Sequence, residues 1–113
     1  MYLQNAIIEP RKLGGYLLDL DHPQGMGKCI YLMRAGFRPE EPEVLEQAIL
    51  RLVASVEAVY DGEDSGRFFY SVTGPIYGPL NVVGAKTIWE MNNDEPRLYD
   101  FRFVTLKPRQ RWK

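Results

Sequence analysis

Residues 80–106 read LNVVGAKTIWEMNNDEPRLYDFRFVTL, and this stretch decides the fold. Apolar and polar side chains alternate from Leu80 to Met91 and again from Arg97 to Leu106, with NNDEP supplying turn chemistry between the two runs. In the second run Tyr99, Phe101 and Phe103 fall on one side and Asp100 and Arg102 on the other. That is the two-residue period of a strand with one buried and one wet face.

Working backward, GPIYGP reads as a turn before Leu80, and DGEDSG separates Ala58–Tyr60 from a further alternating run over Arg67–Thr73. Three consecutive hairpins are the economical reading, giving an antiparallel sheet of about four strands over about residues 58–107. A basic tail, 108–113, follows.

Before Ala58 the period turns helical. Leu45, Ala48, Ile49, Leu52, Val53 and Val56 form one apolar stripe, Pro42 suits the first turn, and glutamates crowd the positive N-terminal end. A second helix is predicted from Met26, with Met26, Cys29, Ile30, Met33 and Phe37 as its apolar face and Gly36 as a left-handed C-cap. A short first helix begins at Pro10 with Leu13, Leu17 and Leu20 at helical spacing; Gly14 and Gly15 weaken it by about 1 kcal/mol each relative to alanine. The expected architecture is α+β: helices over about 9–57 packed on one face of the sheet, in one domain spanning 1–113.

Composition limits what such a domain does. With 113 residues, 45% hydrophobic and 26% charged, the chain has enough apolar matter for one core. No apolar run approaches the roughly 20 residues of a bilayer span, and no export signal is visible, so a cytoplasmic protein without membrane contact is expected. Cys29 is the single cysteine and His22 the single histidine. They assemble neither a disulfide nor a zinc site, and the carboxylates show no paired metal spacing; no metal or other cofactor is expected. A formal charge of −1 and a pI near 5.8 argue against a broad grip on nucleic acid. The distribution is uneven, however. Acidic residues gather at Glu40, Glu41, Glu43 and Glu46 and at Asp61, Glu63 and Asp64, whereas Lys107, Arg109, Arg111 and Lys113 are basic.

The segment DLDHPQGMGK is the strongest candidate for chemistry. His22, Pro23, Gly25, Gly27 and Lys28 form a loop feeding a helix N-terminus, where free N–H groups, the helix dipole and a lysine favour an anion such as phosphate. It is not a P-loop, since the GxxxxGK[ST] spacing is absent. A connecting surface loop is the plainer reading. His22 is the natural general acid or base at neutral pH, and a helix cap or a solvated ring is its bland alternative. Cys29, in an apolar stripe, reads as an inert buried thiol. On the sheet, Arg97, Tyr99 and Thr105 offer an arginine and hydroxyls for a phosphate, with Trp89 beside Thr87. Ordinary strand decoration and a tryptophan core anchor are the plainer readings there.

These residues, taken in order, resemble an uncharacterised family of small bacterial domains known both free-standing and as C-terminal modules of large polymorphic toxins. The resemblance runs through KLGGYLLDLDHPQGMGK and AGF in the first half, and TIW, PRL and VTLKP in the second, with HPxGxxK its most specific part. Cys29 and Leu32 depart from the alanine and phenylalanine that commonly follow the lysine. The resemblance implies a setting in toxin and conflict systems, and the helices-then-sheet layout is similar to that of small metal-independent ribonuclease toxins.

The expectation is therefore a toxin-like domain that cleaves RNA in a groove between helices and sheet. His22 exchanges protons, Lys28 and Arg97 neutralise the phosphate, Thr105 orients it, and Gly25, Gly27, Tyr99 and Trp89 line the substrate. The alternative is a non-enzymatic interaction module, an immunity or antitoxin-like protein, whose partner is a cognate toxin or antitoxin rather than RNA; the acidic pI favours it.

Overall fold

A computed structural model describes residues 1–95 and 98–109. The order of elements is β1 (Ala6–Ile7), α1 (Pro10–Lys12) running into a wider π-type turn (Leu13–Leu17), α2 (Met26–Met33), α3 (Pro42–Ser55), β2 (Val59–Asp64), β3 (Arg67–Tyr77), β4 (Val82–Glu95) and β5 (Leu98–Arg109). The five strands form one sheet in the order β1-β5-β4-β3-β2.

The fold is α+β, as expected, but with five strands instead of four and a mixed sheet instead of a purely antiparallel one. The additional strand is β1, which pairs in parallel with β5 through Ala6 opposite Phe101 and Ile7 opposite Arg102. Two residues cannot announce a strand by alternation; the pairing is set by the rest of the sheet. The hairpins β2–β3, β3–β4 and β4–β5 are antiparallel, as read. The sequence GPIY continues β3 to Tyr77, and the turn falls later, at residues 78–81, where the N–H groups of Leu80 and Asn81 both donate to the Ala35 carbonyl. Gly78 is required there, because a Cβ would lie 2.2 Å from the Ala35 oxygen.

The core lies between the sheet and the helices. Val72 and Ile76 of β3, Ala85 and Trp89 of β4, and Phe101, Phe103 and Leu106 of β5 face Leu45, Ile49, Leu52 and Val53 of α3 and Leu13 and Leu17 of the first helical segment, all in one cluster. Gly74 keeps β3 flush with α3, since a Cβ would meet Leu52 Cδ1 at 2.8 Å. The stripe predicted for α3 is buried from Leu45 through Val53, and Val56 leaves the helix as an extended residue. Gly36 adopts φ +100°, the left-handed conformation expected of it.

Helix α2 is rotated from its predicted phase. Its buried residues are Cys29 and Leu32, continued by Ala35 and Phe37, while Met26, Ile30 and Met33 are exposed. A five-residue choice of face in a short helix is degenerate, and tertiary packing decides it: Lys28 and Tyr31 are needed on the side toward β4 and β5, where the Tyr31 hydroxyl donates to the Gly84 carbonyl of β4 at 2.6 Å and Lys28 reaches Thr105 of β5. Among the described residues no helix is long and apolar enough to cross a membrane.

The phase of α2 is directly testable by unfolding. Leu32→Ala, which removes a side chain with 0% exposure, is expected to cost about 2–5 kcal/mol in denaturant titrations. Ile30→Ala, at 43% exposure, should stay within about 0.5 kcal/mol of the parent. Equal losses would restore the predicted face.

Candidate functional site

Three segments meet where α1, α2 and β5 come together. Leu13 and Leu17 anchor the first helical segment in the core, and the π-type turn closes with the Leu18 N–H donating to the Leu13 carbonyl at 2.7 Å. The glycine pair Gly14–Gly15 stands inside this turn, Gly14 with open space around it and Gly15 beside Arg11 Cβ. A widened turn is rare in helices and shifts the side chains that follow it. It sets Tyr16 toward β5.

Lys28 lies in the first turn of α2 and reaches the same place. Its ammonium donates to the Tyr16 hydroxyl at 2.6 Å and to Thr105 Oγ1 at 2.8 Å, and the two hydroxyls are themselves 2.7 Å apart. The three polar atoms form a closed triangle from positions 16, 28 and 105. Lys12 adds a second cation: its ammonium stands 5.5 Å from the Tyr16 ring centroid and donates to the Val104 carbonyl at 3.0 Å, while the Lys28 ammonium is 5.1 Å from the same ring.

An irregularity in the sheet makes this possible. Trp89 pairs with Phe103 and Ile88 with Thr105, so Val104 is an extra residue on β5. Such a bulge bends the strand and re-aims side chains. Here it leaves the Val104 carbonyl to Lys12 and turns the Thr105 hydroxyl toward the helices.

The loop before α2 is built differently from the anion cradle expected of it. His22 Nδ1 accepts from the N–H groups of Gln24 and Gly25, both at 3.0 Å, and the His22 carbonyl accepts from Met26 N–H at 2.9 Å. Three of the loop's N–H groups are thus used by His22 itself, two by its ring and one by its carbonyl, so the histidine caps the turn. Because Nδ1 is an acceptor, the neutral ring carries its proton on Nε2 and offers no free lone pair while both bonds hold. The ring is half-buried and stands at 70° to Tyr16, with centroids 5.0 Å apart. Gly25 has a structural reason of its own: a Cβ there would lie 2.1 Å from the Tyr16 carbonyl oxygen.

Of the residues singled out in the sequence, Lys28 and Thr105 are in direct contact, and His22 joins them through Tyr16. Gly25 packs against Tyr16, whereas Gly27 is exposed with open space on its side-chain side. Trp89 belongs to the core at 0% exposure, donating through Nε1 to Thr87 Oγ1 at 2.9 Å and stacking edge-to-face with Phe103. The substrate-lining role expected for it therefore does not fit, since no ligand reaches a fully buried ring. Arg97 lies outside the described residues, as does the side chain of Tyr99. Tyr16 is the residue that sequence reasoning passed over; its one signal was the spacing of Lys12 and Tyr16, four apart on a helix.

The electrostatics single out the same phenol. Burial pushes the Tyr16 hydroxyl up, but the hydrogen bonds from Lys28 and Thr105, with the charges of Lys28 and Lys12, outweigh it and hold the group below its ordinary value of 10.0. The arrangement suits a phenolate, because Lys28 and Thr105 then both donate to it. Cys29 goes the other way, its thiol raised by burial and then by the Asp19 charge, so it is not a nucleophile. Among the described residues no group of three or more His, Cys, Asp or Glu is placed to hold a metal ion.

Fold and site together define a small α+β domain with a lysine–tyrosine–threonine cluster at a bulged strand. A family model described as Domain of unknown function (DUF6883) matches residues 2–110, and the chain belongs to that family. Comparison with curated proteins and with solved structures gave no match.

A spectroscopic titration tests the cluster. One of the seven tyrosines should form its phenolate below the ordinary range. That transition should vanish in Tyr16→Phe and move upward in Lys28→Met. The sign for stability follows: a depressed phenol stabilises the fold above the unfolded value near 10.0 and loses that contribution as pH falls through the folded one. The advantage of the parent over Tyr16→Phe should therefore grow with rising alkaline pH. A Lys28→Met profile identical to the parent would contradict the assignment.

Proposed function

We propose that this chain is a toxin-like, metal-independent ribonuclease domain that cleaves RNA by internal transesterification at the Tyr16, Lys28 and Thr105 cluster. The observation that carries this reading is the triangle itself: a phenol held below its ordinary value, against an ammonium and a hydroxyl, from segments 12, 77 and 89 residues apart. Phosphoryl chemistry needs charge neutralisation on the non-bridging oxygens and a proton route between two oxygens, and little else.

The step balances within the cluster. The RNA 2′-oxygen attacks phosphorus and gives its proton to ionised Tyr16; the bond to the 5′-oxygen breaks, and that oxygen takes a proton from Lys28. Tyr16 then returns its proton to Lys28 across their 2.6 Å contact. The products are a 2′,3′-cyclic phosphate and a 5′-hydroxyl. Lys12 adds positive charge beside the phosphate, Thr105 orients it, and the Nε2–H of His22 is a further donor. Tyr16 thus takes the proton-exchanging role first expected of His22, whose Nδ1 is engaged by backbone. The likeness of the sequence to toxin-borne domains fits this activity.

A binding role has one observation in its favour. Strand β2 closes one side of the sheet, exposes Val59 and Tyr60, and carries Asp61, Glu63 and Asp64. Such an edge suits strand addition by a basic partner segment, as in an immunity or antitoxin-like complex.

Purified protein should convert single-stranded RNA to fragments ending in cyclic phosphate, in the presence of EDTA, with Lys28→Met and Tyr16→Phe each slower by about 10²-fold or more. Met33→Ala, on an exposed face, should match the parent. Intact RNA, or cleavage abolished by EDTA, would overturn the reading, and a stoichiometric complex with a protein partner in its place would establish the binding role.

A further inference from the structure

Charge is distributed across the sheet with a polarity that the net value of −1 conceals. At one side β2 carries Asp61, Glu63 and Asp64 and no base. Toward the other side β5 carries Arg102, Lys107 and Arg109 against the single acid Asp100. On the side away from β4, β5 has no strand partner among the described residues beyond its two-residue pairing with β1. Pro108 is tolerated there because an open edge asks for no N–H.

One detail runs against simple stability. Lys107 stands directly opposite Lys86 on β4, and like charges facing each other across a ladder are destabilising. Lys86 is compensated by Asp61 at 3.5 Å. Neither Lys107 nor Arg109 makes an ion pair with a described residue, and both are exposed. A charged edge also discourages sheet-to-sheet aggregation, but either sign serves that purpose, and it does not call for a lysine facing a lysine.

Thr105, Lys107 and Arg109 are alternate residues in an uninterrupted register, so they share a face of β5. Successive members are about 6.6–6.8 Å apart along a strand. That repeat is of the order of the phosphate separation in an extended nucleic-acid strand. The row begins at Thr105, in contact with Lys28.

We propose that the end of β5, through Lys107 and Arg109, binds the phosphates of a single-stranded nucleic acid leading away from the Lys28–Thr105 site. This rests on the ribonuclease reading for its identity as a substrate track, though not for the binding itself. Backbone neutralisation by a basic row is sequence-tolerant and strongly dependent on salt. An extended acidic polypeptide has the same repeat, so what favours a nucleic-acid strand is the continuity of the row with the Lys28–Thr105 contact.

The test uses full-length protein and a fluorescent single-stranded DNA of about twelve nucleotides, which lacks the 2′-hydroxyl and so reports binding without cleavage. Lys107→Gln with Arg109→Gln should weaken binding tenfold or more at low salt and make the logarithmic salt dependence shallower by about 1.4, at about 0.7 per lost phosphate contact. The charge-matched double variant Arg38→Gln with Arg51→Gln should bind like the parent, and thermal unfolding of both must match the parent. No DNA binding by the parent, equal losses in the two double variants, or equally effective competition by poly-glutamate would overturn the proposal. The two readings fail separately: binding through β5 with no RNA cleavage removes the reaction alone, and RNA cleavage with full affinity in the β5 variant removes the track alone.

Discussion

The constraint on which the rest of the structure depends is the need to satisfy a lysine ammonium that is half-buried between two helices and a strand. A cation withdrawn from water requires polar partners within hydrogen-bonding distance. Lys28 obtains two, the hydroxyls of Tyr16 and Thr105, and these bond to each other. Each irregular feature nearby serves that closure. The π-type turn presents Tyr16, the glycine at position 25 lets the chain pass against the Tyr16 carbonyl, and the extra residue Val104 turns Thr105 toward the helices. No buried side-chain polar atom among the described residues lacks a partner. The local departures from regular structure are thus concentrated where polar groups must meet, while α3 and the centre of the sheet remain regular.

Electrostatic consequences follow from the same geometry. Two lysines beside one phenol make its ionised form easier to reach, and the remaining positive charge of β5 continues from that point along the strand. The acidic strand residues Asp61, Glu63 and Asp64 lie at the other end of the strand order, on β2. A sheet in a chain of nearly zero net charge therefore has a basic strand toward one side and an acidic strand at the other. Pairing of Arg67 with Glu90 and of Lys86 with Asp61 limits repulsion across the centre of the sheet.

Much of the architecture was legible because periodicity is a local property. Alternation around Phe101 and Phe103 and the stripe from Leu45 to Val53 needed no knowledge of neighbours, and the left-handed Gly36 followed from helix-end geometry. Features set by tertiary contact were not legible. The two residues of β1 have no pattern of their own, the face buried by α2 depends on Tyr31 reaching β4 and Lys28 reaching β5, and GPIY looks like a turn until β4 pairs with it. For the site, Lys28 and Thr105 were identifiable by chemistry. Tyr16 was not, because a tyrosine among leucines reads as packing until a lysine from another helix is brought to its hydroxyl. The loop around His22 differs from the sequence reading for a related reason: sequence shows which donors exist, and only coordinates show that the imidazole takes two of them, the N–H groups of Gln24 and Gly25.

The central claim is that the Lys28–Tyr16–Thr105 triangle is a phosphate site and not merely a structural tie. A crystal structure of the protein with an uncleavable 2′-deoxy dinucleotide tests it most directly. The account predicts a phosphate oxygen within hydrogen-bonding distance of the Lys28 ammonium and the Thr105 hydroxyl, with the 2′-carbon of the sugar turned toward the Tyr16 oxygen. A dinucleotide seated elsewhere, with the triangle closed and untouched, would contradict it.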